Sequence, residues 1–298
     1  MKIGYPCINL SLECRSSRTF RLKNYSIPKL KSTISNNLKC LQKILEFNKK
    51  HGILFFRITS DLIPFASHEI MKFEWQEHFK QQFREIGEYL KCNEMRITMH
   101  PGQYTVLNST DEGVFKRSVK EIRYHIEVLD IMGLDSTAKV QVHVGGVYGN
   151  KPQSLERFIE RYKTYNKEIT NRLVIENDDK SYTLQDCLKI HDETGIPIIF
   201  DIYHHQCNSS GESIPQAFKA FTESWKEVDG LPIVHYSSEH PDKGKPRHSE
   251  HIQLRDFRKF IEQTREYNFD MMLEIKDKEK SALKALEVLN DDERLAID

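Results

Sequence analysis

One unit recurs along this chain and constrains its fold more than any other feature. A short apolar run rich in β-branched or aromatic residues is followed by a loop, then by a longer stretch with apolar residues three and four apart. Eight runs read as strands: "KIGYPCI", "ILFFRI", "MRITMH", "KVQVHV", "RLVIEN", "PIIFDI", "PIVHY" and "DMMLEI". Several are too uniformly apolar to alternate, as expected of parallel strands covered on both faces. Between them, segments such as "ISNNLKCLQKILEFNKKH", "KRSVKEIRYHIEVLDIMG" and "SLERFIERYKTYNKEI" carry helical periodicity, and Gly52, Gly133 and Gly195 stand where helices would stop. Eight strands alternating with about eight helices over 298 residues, without a Pro/Gly/Ser-rich linker, predict a single (β/α)8 TIM barrel spanning 1–298. An open doubly wound sheet is the other α/β solution, but no GxGxxG follows a strand.

Barrels of this kind build their sites from the C-terminal ends of the strands, and those ends share a chemistry. Strand three ends at His100, four at His143, five at Glu176, six at Asp201 with His204 close behind, seven at His235 with His248 in the next loop, and eight at Glu274. A single strand-end histidine is most often an ordinary hydrogen-bonded residue. A closed barrel makes these ends converge, and five imidazoles with three carboxylates on one rim call for cations. The donors are all nitrogen or oxygen, which suits Mn, Zn, Fe or Co. Eight side chains exceed the needs of one ion, so two or three ions are expected, with Glu176 best placed to bridge. Such a cluster would attract phosphate oxygens and favour phosphodiester hydrolysis. His51, His78, His125 and His191 fall on predicted helices and read as ordinary, and His240 and His251 are ambiguous.

Lys plus Arg equals Asp plus Glu, 44 of each. Bulk positive charge is therefore not how this chain would hold a nucleic acid, which leaves room for a local positive site. Six scattered cysteines without a CxxC predict no disulfide framework, mostly small buried thiols and a reducing compartment. No apolar run is long enough to span a bilayer, and the amino-terminal residues lack a signal-peptide h-region. The expected location is cytoplasmic, with no membrane association.

The motifs "GYPCINL", "HPGQYTVLN", "HVGG", "ENDD", "DIYHH" and "HYSS", in this order from Gly4 towards Glu274, resemble the UV damage endonuclease family. More distantly the chain is similar to apurinic-site endonucleases and sugar isomerases built on related metal-rimmed barrels. The resemblance implies a DNA repair endonuclease that cuts immediately 5′ of cyclobutane pyrimidine dimers and 6-4 photoproducts in double-stranded DNA. It implies up to three metal ions, manganese favoured, and no obligate protein partner. The family's metal ligands fall on His100, His143, Glu176, Asp201, His204, His235, His248 and Glu274, with Glu176, His100, His143 and Glu274 as the catalytic members. Its damage-probing pair falls on Gln103 and Tyr104, and its lesion-pocket positions on Tyr5, Asn9 and His68.

An amide and a phenol on a turn headed by "HPG" can push into a duplex and fill the gap left by a displaced dimer. Two basic stretches, "RSSRTFRLK" (Arg15 to Lys23) and "KGKPRH" with Lys243, Lys245 and Arg247, are candidate phosphate contacts. The sequence departs from the family pattern where a modified lysine often precedes the strand-seven histidine: here Ile233 stands there. Where the apurinic-site relatives carry an aspartate before their equivalent of His248, this chain has Pro246. The alternatives are an apurinic-site endonuclease and a metal-dependent sugar isomerase.

Overall fold

Parallel strands need cover on both faces, and here they obtain it by closing into a ring. In a computed structural model, which describes residues 1–239 and 247–296, the strands β1 (Ile3–Pro6), β2 (Phe55–Ile58), β3 (Arg96–Met99), β4 (Lys139–His143), β5 (Leu173–Glu176), β6 (Ile198–Asp201), β7 (Ile233–Tyr236) and β8 (Asp270–Leu273) pair in chain order. β1 closes against β8 to complete a parallel barrel. The fold is the expected (β/α)8 TIM barrel and not the open doubly wound sheet. Every strand residue is buried except His143, which sits half-buried at the end of β4.

The seven connections and the segment after β8 hold eleven α-helices among the described residues, more than the eight the periodicity suggested. Single helices follow β1, β3, β5, β7 and β8: α1 (Ile27–Lys50), α4 (Glu112–Ile131), α7 (Leu184–Thr194), α10 (Leu254–Gln263) and α11 (Glu279–Leu289). The other three connections carry two each: α2 (Trp75–His78) with α3 (Lys80–Cys92), α5 (Lys151–Lys163) with α6 (Lys167–Thr170), and α8 (Ile202–Cys207) with α9 (Ile214–Thr222). The segment "SLERFIERYKTYNKEI" thus splits in two, because Asn166 leaves the helical conformation and caps α6 by accepting from the Ile169 N–H. The glycines read as helix stops behave as such: Gly52, Gly133 and Gly195 have φ of 70°, 69° and 72°. Among the described residues no helix is long and apolar enough to cross a membrane.

The two ends of the barrel are chemically different. At the N-terminal end, the first residues of β3 and β8 form a buried ion pair, Arg96 Nη1 to Asp270 Oδ2 at 2.7 Å. The first residue of β4, Lys139, reaches Asp229 Oδ1 at 2.6 Å. These two ion pairs lie at the bottom of the barrel, where each cation faces a carboxylate. At the other end the strand tips present the histidines and carboxylates described below.

The cysteine expectation needs correction. Cys14, in the loop after β1, is joined by a disulfide to Cys40 on α1. There is still no framework, but one cross-link ties the β1–α1 loop to its own helix. Only Cys40 and Cys187 are fully buried, while Cys92 is exposed and Cys7, Cys14 and Cys207 are intermediate. The pairing joins residues 26 apart, with no short-range motif to betray it.

The Arg96–Asp270 pair gives a direct test of what holds the barrel floor. Asp270→Ala leaves a buried guanidinium without its carboxylate and should cost about 3–5 kcal/mol of unfolding free energy. Urea titration measures this; a loss under about 1 kcal/mol would mean that the pair is replaceable by water.

Candidate metal centre

Strand register delivers the site. β4 and β5 pair with His143 opposite Glu176, and β6 and β7 pair with Asp201 opposite His235. His100 and Glu274 immediately follow β3 and β8. Four consecutive strand ends and two flanking ones therefore meet over the barrel mouth. Asp201 also caps α8: its Oδ1 accepts from the His204 backbone N–H at 2.7 Å, which turns the chain sharply and brings the His204 ring over the same mouth. That is why an acid and an imidazole stand together after the sixth strand.

Glu176 lies at the centre, and its two oxygens face different groups. Oε2 is 3.8 Å from both His100 Nε2 and His143 Nε2. Oε1 accepts from His235 Nδ1 at 2.7 Å and lies 3.8 Å from His204 Nδ1. Two three-donor groups with spacing suited to an ion result: His100, His143 and Glu176, and Glu176, Asp201 and His235. Glu274 joins the second, its Oε1 lying 3.4 Å from His235 Nδ1. His248, held by a bridge between its backbone and Glu239, stands furthest out; its ring centroid is 6.4 Å from that of His204.

These residues fit divalent cations on grounds internal to the structure. Asp201 Oδ2, which faces the mouth, is buried without a hydrogen-bond partner, although buried polar atoms are nearly always satisfied. Burial, then the neighbouring His143 and Arg57, lowers the His100 pKa to about 3, so this imidazole is neutral and ready to ligate. Burial alone would raise Glu176, but His235 and His143 outweigh it and hold the carboxylate ionised. Burial raises the Asp201 pKa, and repulsion from Glu176 and Glu274 adds to it. For His204, burial lowers the pKa, but Asp201, Glu176 and Glu274 overcome that and raise it to about 9. A proton therefore substitutes for a cation among three carboxylates.

Three participants escaped the sequence reading. Arg57 on β2 reaches Glu274 Oε1 at 2.7 Å and donates to His235 Nε2 at 3.0 Å. Because a guanidinium only donates, His235 without an ion accepts at Nε2 and carries its proton on Nδ1, towards Glu176; ligation at Nδ1 would have to displace that proton. Gln141 Nε2 donates to Glu176 Oε2 at 3.0 Å. Asn177 clasps Asp201 through both its backbone groups, and its carbonyl accepts from His204 Nδ1 at 3.0 Å. That leaves His204 Nε2 as the nitrogen available to an ion. The signal for Gln141 was present in "KVQVH", where polar residues alternate and turn inward. Arg57 was visible only as a lone cation in an apolar run.

The residues expected to meet DNA are placed unequally. Tyr104 is 85% exposed and Gln103 is exposed beside it, on the turn after β3. His68 is exposed after β2, and Arg15, Arg18, Lys23 and Arg247 are exposed on the rim loops. Tyr5 and Asn9 present no surface: the Tyr5 hydroxyl donates to Asn48 Oδ1 at 2.6 Å and accepts from Asn9 Nδ2 at 2.8 Å. Their packing fixes the β1–α1 loop from beneath. His251, left ambiguous, pairs with Asp277 at 2.8 Å. Lys243, Lys245, Pro246 and His240 lie outside the described residues.

Comparison with known proteins identifies the family. The model of a family described as UV-endonuclease UvdE matches residues 1–296. A UV DNA damage endonuclease of Clostridium perfringens is 42% identical over 98% of this chain and 71% of that relative. One from Bacillus thuringiensis is 31% identical over 97% of this chain and 95% of the relative. The crystal structure of SacUVDE superposes with a TM-score of 0.93 at 43% identity, covering 98% of both chains. Endonuclease IV from Thermus thermophilus, 14% identical with a TM-score of 0.62 over 98% of both chains, shares the fold alone.

The raised His204 pKa sets a pH dependence whose sign is fixed. In the metal-free protein, the stabilisation by protonated His204 is fully present below pH 6.5 and is lost as pH rises through about 9. An ion taken up in its place must displace that proton. Mn²⁺ affinity should therefore rise between pH 6.5 and 9, by up to about tenfold per pH unit for one released proton. Calorimetry in buffers of different ionisation enthalpy checks this: heats independent of the buffer would mean that no proton leaves.

Proposed function

The chain belongs to the UV-endonuclease UvdE family, and from that premise we propose that it is a DNA repair endonuclease for UV-damaged double-stranded DNA. It hydrolyses the phosphodiester immediately 5′ of cyclobutane pyrimidine dimers and 6-4 photoproducts, acting as one barrel unit over 1–298. The observation that carries this reading is the buried Glu176 carboxylate, whose two oxygens face separate imidazole groups at a barrel mouth. Two or three divalent ions, manganese favoured, would be held by His100, His143, Glu176, Asp201, His204, His235, His248 and Glu274. When bound, such ions supply Lewis acidity for the phosphate and its leaving 3′-oxygen and lower the pKa of an attacking water.

The chain's own residues do the rest. Glu176 links the two ligand groups, so the spacing between them is set by a single carboxylate locked by Gln141 and His235. Arg57 holds Glu274 and sets the tautomer of His235. Gln103 and Tyr104, exposed on a turn above the mouth, enter the duplex and replace the stacking lost when the damaged dinucleotide leaves the helix. A photoproduct stacks and pairs poorly, so displacing it costs less than displacing an intact step. Selectivity then needs no reading of base sequence. His68 borders the space the lesion enters, and buried Tyr5 and Asn9 form its rigid backing. Arg15, Arg18 and Arg247, with Lys243 and Lys245, contact phosphates. An enzyme acting on chromosomal DNA would work in the cytoplasm of a cell without a nucleus.

An end-labelled duplex with one cyclobutane dimer tests the reading, with Mn²⁺ or chelator and beside undamaged and abasic duplexes. A single metal-dependent cut 5′ of the dimer is expected. Cutting confined to the abasic duplex would instead indicate an apurinic-site enzyme. Glu176→Ala should reduce incision to background. Tyr104→Ala should keep metal binding but lower the preference for damaged over intact duplex by about tenfold, the scale of one lost stacking contact. Wild-type incision by the Glu176 variant would sink the central role of that carboxylate.

A further inference from the structure

The loop after β4 contains an aromatic residue that the proposed reaction does not yet use. Tyr148 is 45% exposed and holds φ at 46°, a left-handed conformation costly for any residue but glycine. The tip of its ring packs against Gly146: a Cβ there would come within 2.8 Å of Tyr148 Cε2, 2.9 Å of Cζ and 3.2 Å of the hydroxyl oxygen. The neighbouring Gly145, at φ 118°, leaves room for Asn108, where a Cβ would come within 2.2 Å of Asn108 Oδ1. Asn108 donates to Gly146 O at 2.8 Å and accepts from Gly146 N at 3.0 Å, and the Tyr182 hydroxyl also donates to Gly146 O at 2.8 Å. The Arg157 guanidinium stands 5.8 Å from the Tyr148 ring centroid and donates to Asn108 O at 3.0 Å. A buried polar network thus fixes the Gly146 backbone against which the exposed, left-handed Tyr148 packs.

This ring borders a cavity of about 410 Å³ between the β3 and β4 loops, lined also by Gln103, Gly145, Gly146, His100 and His143. That volume lies within the range of small-ligand sites. The cavity runs from two candidate metal ligands, past one of the proposed probing residues, to the ring. It flanks the β3 loop on the side away from the loops of β1 and β2, where Asn9 and His68 lie.

We propose that Tyr148 and this cavity form a nucleobase site that receives the nucleotide on the 5′ side of the bond to be cut, its base stacked on the Tyr148 ring. The inference rests on the endonuclease reading above. If the damaged dinucleotide occupies the β1–β2 side and the scissile phosphate lies over His100 and His143, the strand leaves the cut on the β4 side. A π-face held rigid in advance grips any base there without regard to its identity. Arg157, against the ring, adds positive charge beside the path of the backbone.

Single-turnover incision of dimer duplexes by the full chain tests this, with products resolved to the nucleotide. On an ordinary flanking sequence, Tyr148→Ala should raise the half-saturating protein concentration about tenfold, whereas Tyr148→Phe keeps it near wild type. When the 5′-flanking base is replaced by hydrogen, wild type and Tyr148→Ala should become equal. Circular-dichroism melting and metal content must match between the proteins, and Tyr148→Leu serves as a second variant should alanine fail to fold. An unchanged value for Tyr148→Ala on the ordinary duplex overturns the proposal. So does a difference that persists without the flanking base, or one that disappears only when the base opposite the dimer is removed. No incision of any dimer duplex by the wild type would overturn the endonuclease reading itself, and this inference with it.

Discussion

The site depends on one carboxylate that could not remain where it is alone. Glu176 is 1% exposed at the end of a barrel strand, where an ionised group without partners would cost an amount comparable to the stability of a whole domain. It stays ionised because four imidazoles and an amide surround it. The same burial turns two oxygens of one side chain into a spacer between two ligand groups. A rigid β-strand sets that spacing far more tightly than a loop could.

Around that centre the charges are only partly balanced by the protein itself. Arg57 answers Glu274, and a proton on His204 faces Asp201 Oδ2 at 3.6 Å, whereas that oxygen accepts no hydrogen bond. The barrel floor shows the contrast: Arg96 with Asp270 and Lys139 with Asp229 form closed ion pairs at similar depth. At that end each buried cation faces a carboxylate, and the pairs serve stability. The other end is left incomplete, and that incompleteness is its capacity to take cations and, through them, phosphate.

The rim loops divide labour in a matching way. Tyr104 and Gln103 stand in solvent on a turn, while Tyr148 packs against a glycine backbone fixed by a hydrogen-bonded network. A wedge that enters a duplex gains from freedom to adapt; a stacking surface gains from being fixed beforehand. The disulfide between Cys14 and Cys40 belongs with the second kind, tying the β1–α1 loop to its helix.

Much of this was legible before folding was considered, because the barrel converts a one-dimensional pattern into a ring. Strand-end identities at His100, His143, Glu176, Asp201, His235 and Glu274 followed from period and length, since a strand's last residue has one place to go. Contacts across the barrel were not legible. Arg57 meets Glu274 and His235 over separations of about two hundred residues, and Cys14 meets Cys40 through a loop whose path no local rule prescribes. Tyr5 lies within β1 and Asn9 just after it, yet the Tyr5 hydroxyl, bonded to Asn48 on α1 and to Asn9, keeps both buried. By itself the sequence determined the fold class and the ligand types at the barrel mouth, because periodicity and strand ends are local properties. Only the tertiary structure decided which oxygen of Glu176 faces which histidine, which charges are already answered and which remain open, because those depend on register and closure across the whole ring.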